Sequence, residues 1–230
     1  MNEHILIVDD ERALAELLEV YLTNAGYRVS ICTDGASALA TVAQSSVDLA
    51  LLDVMLPDMS GFDICRQLRA GYFFPIIMLT AKTEDNDKIL GLTLGADDYI
   101  TKPFNPLEVV ARVRTQLRRA SQYNSASAPS AEEERDIRGL VINRSAHTCT
   151  LYGETINLTP LEFEILWYLA SRQGRVVPSE ELFEAVWQED YLKSNNTVMS
   201  HIGRLRDKLH EPPRQPKFIK TVWGIGYEIE

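Results

Sequence analysis

Three carboxylates stand directly after short apolar runs, at positions where the ends of strands could bring them together. Asp9 and Asp10 follow Ile5–Val8, and Asp53 follows Leu49–Leu52. Apolar runs of this kind are typical of strands buried on both faces of a parallel sheet. Because the carboxyl ends of parallel strands meet at one edge of the sheet, we expect these carboxylates to lie close together. Taken alone, Asp53 could equally be an ordinary turn-capping aspartate.

Two further polar residues are expected at the same edge. Thr80 ends the run Pro75–Thr80, and Lys102 follows Asp98–Thr101. Clustered carboxylates repel each other and stay ionised together only beside a hard cation such as Mg²⁺. A lysine and a hydroxyl group supply the charge and the hydrogen bond that a phosphoryl group needs. The set predicts a site for magnesium-assisted phosphoryl transfer, and the alternative is a solvated acidic rim with a structural lysine.

Alternating strand and helix patterns run through residues 1–121 and would position these groups. The expected strands are Ile5–Val8, Arg28–Cys32, Asp48–Leu52, Pro75–Thr80 and Asp98–Thr101. The expected helices are one that ends at Gly26, then Gly35–Ala43, Gly61–Ala70, Asp85–Leu94 and Pro106–Arg119. This regular alternation predicts an α/β fold, a doubly wound five-stranded parallel sheet with helices on both faces. The segment Pro57–Gly61 is expected to form a turn before the third helix.

A second, smaller α+β domain is expected after a linker. Residues 122–136 are rich in Ser, Ala and Glu, lack an apolar period and predict a flexible linker. In residues 137–230, short alternating segments predict a small antiparallel sheet. Thr159, Pro160 and Glu162 have the spacing of a helix capping box, and Ser179 is expected to begin a second helix. A terminal hairpin is expected after Pro213.

The third helix of this domain carries a basic face. It is expected to begin at Asn195 or Asn196, and its apolar face consists of Val198, Ile202, Leu205 and Leu209. The opposite face is expected to carry Ser200, His201, Arg204 and Lys208, with Arg206 near its flank. The segment Lys193–Lys220 contains seven basic and two acidic residues, although the whole chain has a net charge of -10. A local basic stripe in an acidic chain indicates a nucleic-acid surface, and a solvated basic face is the alternative.

Composition excludes several other classes of protein. The chain has 230 residues, a comfortable length for two domains. No apolar run approaches the roughly 18 residues that cross a bilayer, and the first residues lack the basic start of a signal peptide. Cys32, Cys65 and Cys149 are far apart and not in metal spacing with the histidines. We therefore expect buried free thiols, a reducing cytoplasmic location and no membrane partner.

The first domain resembles the response-regulator receiver domain in four motifs. They are VDD at Val8–Asp10, DVMLPDMSG at Asp53–Gly61, MLTA at Met78–Ala81 and DDYITKPF at Asp97–Phe104. The resemblance implies that Asp53 accepts a phosphoryl group from a sensor histidine kinase. It also implies that Mg²⁺ is bound directly by Asp10, Asp53 and the backbone carbonyl of Met55, while Asp9 acts through water.

The same resemblance implies a switch beside the phosphoryl group. Thr80 and Lys102 would bind the phosphoryl oxygens, and the Lys102–Pro103 peptide would be cis. Thr80 would move toward the phosphoryl group, and Tyr99 would swing inward to fill the space. On its own, a tyrosine in an edge strand is more often a packing residue.

The second domain resembles the winged-helix DNA-binding domain of the OmpR/PhoB regulator family. The matching segments are Leu158–Leu166, Asn196–Leu209 and the wing, Phe218–Ile229. The resemblance implies that the third helix lies in the major groove of promoter DNA, that the wing touches the backbone or minor groove, and that RNA polymerase is a partner. The implied DNA-contacting residues are Asn195, Asn196, Thr197, Ser200, His201, Arg204, Arg206, Lys208, Lys220 and Trp223.

The chain departs from the family pattern in the third helix and the wing. Many members have Arg in place of Asn195 or Asn196, an acidic residue at Met199 and Arg at Trp223. The base contacts are therefore expected to differ from those of other members. Within the family, the TVWGIGY wing and the VMSHI helix are most similar to VanR-type regulators.

Charged residues of the receiver match positions through which this family forms a two-fold dimer on phosphorylation. The resemblance implies the cross-subunit pairs Lys88–Glu108, Asp98–Arg112 and Asp97–Arg119. The alternative is a set of scattered surface charges, each pair worth about 0–1 kcal/mol.

Together these features predict a two-component response regulator that acts as a transcription factor. The alternative is a Mg²⁺-dependent phosphotransfer enzyme whose second domain binds protein. A hydrolase would need a general acid or base beside Asp53, and the predicted strand ends offer none. We therefore expect no enzyme activity beyond the chain's own phosphoryl transfer and dephosphorylation.

Overall fold

The protein is described here by a computed structural model, which covers residues 3–81, 95–124, 133–188, 197–212 and 215–230. The chain divides into two compact units, Met1–Ala120 and Ser121–Glu230. Within the described ranges, no helix combines the length and the apolar character that a bilayer crossing requires.

The first unit is a five-stranded parallel sheet in the order β2-β1-β3-β4-β5. Its strands are β1 (His4–Val8), β2 (Arg28–Cys32), β3 (Leu49–Asp53), β4 (Ile76–Ala81) and β5 (Asp98–Lys102). Its described helices are α1 (Arg12–Asn24), α2 (Gly35–Gln44), α3 (Gly61–Arg69) and α4 (Pro106–Asn124). The predicted doubly wound α/β fold is confirmed, and the helix expected over Asp85–Leu94 lies outside the described residues.

Helices cover both faces of this sheet, and every side chain of β1 and β3 is buried as a result. Successive side chains of a strand point to opposite faces. On one face, Leu6 and Leu52 pack in one apolar cluster with residues of α2 and α3. On the other face, Ile5 and Leu51 pack with residues of α1 and α4. A continuous apolar run, rather than an alternating one, is therefore what these two strands need.

The second unit contains two small antiparallel sheets and three described helices, consistent with the predicted winged-helix fold. One sheet consists of β6 (Glu134–Ile137), β7 (Leu140–Asn143), β8 (Thr148–Leu151) and β9 (Glu154–Thr155). The helices are α5 (Pro160–Ala170), α6 (Ser179–Trp187) and α7 (Thr197–Lys208). The other sheet has the order β10-β12-β11 and consists of β10 (Val177–Pro178), β11 (Ile219–Val222) and β12 (Gly226–Ile229).

The expected linker is shorter than predicted, because regular structure occupies both of its ends. Helix α4 continues to Asn124, since no Gly or Pro interrupts it after Arg119. Strand β6 occupies Glu134–Ile137 and pairs with β7, with Ile137 opposite Leu140. Only Ile137 of β6 is buried, so its sequence lacks the apolar alternation by which a strand is recognised.

The helix starts of the second unit follow their sequences closely. The side chain of Thr159 accepts a hydrogen bond from the Glu162 amide at 3.3 Å, and Glu162 accepts one from the Thr159 amide at 2.8 Å. The predicted capping box is confirmed. Helix α6 does begin at Ser179, but its N-cap is Pro178 and no side chain caps it.

Candidate functional site

An acidic pocket lies at the carboxyl edge of the parallel sheet. Strands β1 and β3 are neighbours with Val8 opposite Leu52, so the residues that follow, Asp9 and Asp53, come side by side. Carboxylate oxygens of Asp9, Asp10 and Asp53 all lie within 4.8 Å of one another. The structure therefore brings the three carboxylates together, as the strand order requires.

Lys102, at the end of β5, reaches across the pocket to two of these carboxylates. Its Nζ donates to Oδ2 of Asp9 at 2.7 Å and to Oδ2 of Asp53 at 3.0 Å. Burial raises the pKa of Asp53, although the hydrogen bond and charge of Lys102 oppose the rise. Burial acts against the charged form of Lys102, but its bonds to the two carboxylates outweigh this and raise its pKa. The ammonium group is therefore held in place and charged.

The donor set of this pocket fits a hard divalent cation. Asp9 and Asp53 are buried and Asp10 is exposed, and among the residues that the structure describes a single ammonium group, that of Lys102, offsets the three carboxylates. Clustered carboxylate oxygens with excess negative charge suit Mg²⁺. The backbone N–H of Met55 donates to the Asp53 carboxylate, which places the Met55 backbone beside the pocket. These residues could hold Mg²⁺ as the resemblance implies.

Thr80 and Tyr99 lie on the neighbouring strands β4 and β5. Thr80, near the end of β4, is buried, and its hydroxyl group donates to the Ala81 carbonyl at 3.1 Å. Tyr99 lies on β5, opposite Met78 in the register, and its half-buried ring packs against the apolar cluster of α2 and α3. The Lys102–Pro103 peptide is cis, as the resemblance implied.

Most residues expected in a dimer interface are paired within the chain. Arg112 donates to Oδ2 of Asp98 at 3.0 Å and to Oε1 of Glu108 at 3.1 Å. Arg119 is buried, and its charge acts to lower the pKa of Asp98, although burial raises that pKa overall. Lys88 lies outside the described residues. These are contacts of the single chain, and the cross-subunit pairs stay a prediction.

Asp97 has a partner that the sequence did not suggest. Its side chain is buried and binds Nη2 of Arg69 at 2.5 Å, and it accepts a hydrogen bond from the Ile76 amide at 2.8 Å. Arg69 also donates to the carbonyl oxygens of Phe74 and Gly95. The structure therefore does not place Asp97 at the surface. No local signal could have revealed Arg69, because 28 positions separate it from Asp97.

The third helix of the second unit buries more than its predicted apolar face. Val198, Ile202, Leu205 and Leu209 are buried as predicted. Thr197, Ser200 and His201 are buried as well, so the expectation that Ser200 and His201 face solvent is wrong. The ring of His201 packs edge-on against Trp187 of α6, with 5.4 Å between ring centroids, and contacts Arg204. Asn195 and Asn196 lie outside the described residues.

The three basic residues of α7 contact their own domain. Lys208 Nζ binds Oε2 of the buried Glu162 at 2.6 Å, and Arg204 Nε lies 3.9 Å from Oε1 of the same carboxylate. Arg206 donates to the Ile219 carbonyl at 2.7 Å and to Oγ1 of Thr221 at 2.8 Å, which ties the helix to β11. The sequence placed Glu162 in a helix cap and gave no sign that it also neutralises two cations of another helix.

The wing presents exposed apolar side chains beside this helix. Trp223 is 89% exposed and Ile225 is 56% exposed in the turn between β11 and β12, and Met199 of α7 is 55% exposed. With Thr221 and Ser179, they line a groove of about 570 Å³. Lys220 on β11 forms an ion pair with Glu230. The sequence did not identify Met199 and Ile225 as candidate DNA-contacting residues, although Met199 departs from the family pattern.

Both halves of the chain match known families. Residues 5–114 match the response regulator receiver domain, and residues 153–229 match the C-terminal domain of transcriptional regulatory proteins. The regulatory protein VanRc of Enterococcus gallinarum is 59% identical over 230 residues, which cover 100% of each chain. The regulatory protein VanR of Enterococcus faecium is 50% identical over 233 residues, again covering 100% of each chain. The resemblance to VanR-type regulators is thus confirmed at the level of sequence identity.

A solved structure extends this similarity to the fold. The Thermotoga maritima OmpR/PhoB homolog DrrB, a response regulator, is 34% identical and has a TM-score of 0.52, with 100% of this chain and 99% of that chain covered. In this chain the receiver match contains the acidic pocket, and the second match contains the basic helix and the wing. The chain therefore belongs to the OmpR/PhoB family of response regulators, which are transcription regulators and not enzymes.

Proposed function

We propose that Asp53 accepts a phosphoryl group from a sensor histidine kinase and that the phosphorylated protein regulates transcription from the promoter DNA that it binds. The observation that carries this proposal is the position of Lys102, whose Nζ bridges Asp9 at 2.7 Å and Asp53 at 3.0 Å. A fixed cation at a buried carboxylate is what an incoming phosphoryl group requires, because phosphoryl transfer depends on positioning and charge neutralisation.

In this transfer, a carboxylate oxygen of Asp53 attacks the phosphorus atom of a phosphohistidine. A P–O bond forms, the P–N bond breaks, and the imidazole leaves with its electron pair. Mg²⁺, held by Asp9, Asp10, Asp53 and the Met55 carbonyl, supplies charge neutralisation when it is bound. Within the described ranges, the pocket provides Lys102 as a point charge but no general base to activate water, so the acyl phosphate outlasts a catalytic turnover.

Phosphorylation then changes the conformation of Thr80 and Tyr99, and this change reaches a dimer interface. Thr80 turns its hydroxyl group from the Ala81 carbonyl to the phosphoryl group, and Tyr99 moves further into the apolar cluster beside it. Arg112 exchanges its contacts with Asp98 and Glu108 of its own chain for Asp98 of a second copy, and Glu108 then pairs with Lys88 of that copy. The implied pair of Asp97 with Arg119 of the second copy would require Asp97 to leave its buried contact with Arg69.

Dimerisation places two DNA-binding domains on one promoter and raises their effective concentration. The helix α7 lies in the major groove, the wing with Trp223 lies against the backbone or minor groove, and the bound dimer contacts RNA polymerase. The free, buried state of all three cysteines supports action in the reducing cytoplasm. The match of the second domain to transcriptional regulators favours DNA over the protein partner of the alternative reading.

Phosphorylation is tested by labelling the full chain with acetyl phosphate in Mg²⁺. Asp53→Asn should abolish the label, because the nucleophilic oxygen is lost. Asp63→Asn is the matched control, since Asp63 is a half-exposed residue in an ion pair with Arg66, and it should label like the wild type. Stoichiometric labelling of a folded Asp53→Asn chain would refute the assignment.

DNA binding is tested by selecting bound sequences from a random pool with the phosphorylated protein. The wild type should enrich a two-fold or tandem repeated site, and Asp53→Asn should bind that site more weakly because it cannot dimerise on phosphorylation. Absence of any selected sequence, with the label on Asp53 intact, would favour the alternative of a protein-binding second domain.

A further inference from the structure

The segment between β3 and α3 is hydrogen-bonded to α2, a helix that has no role in the proposed phosphoryl transfer. Oδ1 of Asp58 accepts a hydrogen bond from the Gly35 amide at 2.9 Å, and Oδ2 accepts one from the Ala36 amide at 3.0 Å. Gly35 and Ala36 are the first two residues of α2, and their amides have no partner inside the helix. Asp58 therefore caps α2 from 23 positions away.

Two carboxylates, those of Asp34 and Asp58, cap the N-terminus of α2, and only one of them connects the helix to another segment. Asp34, the N-cap residue itself, accepts from the Ser37 amide at 2.8 Å. Its bond stays within the helix start, whereas the bonds of Asp58 join the helix to the β3–α3 segment. The Gly35 amide, ahead of those of Ala36 and Met59, lowers the pKa of the exposed Asp58 carboxyl, so the carboxylate form holds the contact.

The segment approaches its neighbours closely at Gly35 and at Gly61. A Cβ atom on Gly35 would lie 2.5 Å from Cγ of Met59, so the Met59 side chain packs directly against the start of α2. A Cβ atom on Gly61 would lie 2.0 Å from the carbonyl oxygen of Asp53. The Gly61 amide also donates to the Val54 carbonyl at 2.9 Å and closes the base of the segment.

Met55 lies in the chain between Val54, which accepts the Gly61 bond, and Asp58, which caps α2. Its N–H bonds to the Asp53 carboxylate, so a displacement of the segment would be felt at the phosphoacceptor. We propose that Asp58 is a positioning residue of the phosphoryl site: it holds the β3–α3 segment against α2 and so sets where the Met55 carbonyl stands for a cation held by the acidic pocket. This inference rests on the proposed function of Asp53.

The test compares Asp58→Asn with Asp34→Asn in the full-length protein. Both variants remove a carboxylate from the same helix end, but only Asp58→Asn releases the segment. The two helix amides bind different oxygens of Asp58, so an asparagine would turn its NH2 group, a donor, toward one of them and lose that bond. In metal-free protein, hydrogen exchange over residues 54–60 should become at least ten-fold faster in Asp58→Asn and change less than two-fold in Asp34→Asn.

The second readout is the Mg²⁺ dependence of labelling by acetyl phosphate. The Mg²⁺ concentration that gives half the maximal labelling rate should rise at least five-fold in Asp58→Asn, and the labelling rate of this variant should recover at high Mg²⁺. In Asp34→Asn that Mg²⁺ concentration should stay within two-fold of the wild-type value. Equal behaviour of the two variants in both readouts would mean that Asp58 only caps α2, and would overturn the inference. A wild-type chain that takes no label at any Mg²⁺ concentration would instead refute the proposed function, and with it the positioning role.

Discussion

Glu162→Gln should destabilise the DNA-binding domain by removing one buried charge while keeping its helix cap. Glu162 is 1% exposed, and its Oε2 accepts from the Thr159 amide at 2.8 Å and from Lys208 Nζ at 2.6 Å. A glutamine oxygen can still accept the capping bond, since Gln serves in capping boxes as Glu does. The substitution therefore isolates the ionic contacts with Lys208 and Arg204.

The size of the effect follows from the burial of the three partners. Removing one member of a buried ion pair costs about 3–5 kcal/mol, because the remaining charge stays desolvated. Here the side chains of Arg204 and Lys208 are 12% and 29% exposed, so water partly stabilises the positive charges that lose their partner. We expect a loss of about 2 kcal/mol in the free energy of unfolding of this domain, or a fall of about 10 °C in its Tm.

The stability difference between the wild type and Glu162→Gln should depend on pH. Although burial raises the pKa of Glu162, the charges of Arg204 and Lys208 outweigh it and lower the pKa from the ordinary 4.5. A carboxylate whose pKa is lower in the folded state stabilises fully above the unfolded value and loses that contribution as pH falls through the folded value. The difference between wild type and variant should therefore be constant above about pH 5 and shrink below the ordinary pKa.

Tryptophan fluorescence during urea unfolding is the assay, because Trp167, Trp187 and Trp223 all belong to the second unit. Glu184→Gln is the control, since Glu184 is exposed on α6 and its loss should cost less than about 0.5 kcal/mol. If Glu162→Gln unfolds at the same urea concentration as wild type at pH 7, the buried carboxylate does not carry the ionic role described.

Two further substitutions test the receiver. Arg69→Ala should lower the free energy of unfolding by about 3 kcal/mol, because the buried Asp97 would lose its cation, while Arg66→Ala, in an exposed pair, should cost less than about 1 kcal/mol. Thermal unfolding followed by circular dichroism measures both, and equal losses would contradict the argument. Gly61→Ala should slow the labelling of Asp53 about 100-fold, because the new Cβ would meet the Asp53 carbonyl oxygen and displace it; an unchanged labelling rate in a folded variant would show that the backbone there adjusts freely.

The local patterns of the sequence determined the strands, most helices and the positions of the acidic residues. Apolar runs ending in Asp9 and Asp53 indicated buried parallel strands, and the strand order found in the structure then brings those carboxylates to one edge. The spacing of Thr159 and Glu162 was sufficient to identify a capping box. Such signals are readable because they depend on neighbours along the chain and on periods of two or 3.6 residues.

Only the tertiary structure decided which charged groups meet. Lys102 and Asp9 are 93 positions apart, Lys208 and Glu162 are 46 apart, and the structure turned the predicted solvent-facing His201 inward against Trp187. No period of the sequence encodes such contacts, since an ion pair depends on the distance between two elements after they have packed. A basic side chain on a polar face reads the same from the sequence whether its partner is water, DNA or a buried carboxylate, because burial by another element leaves no local pattern.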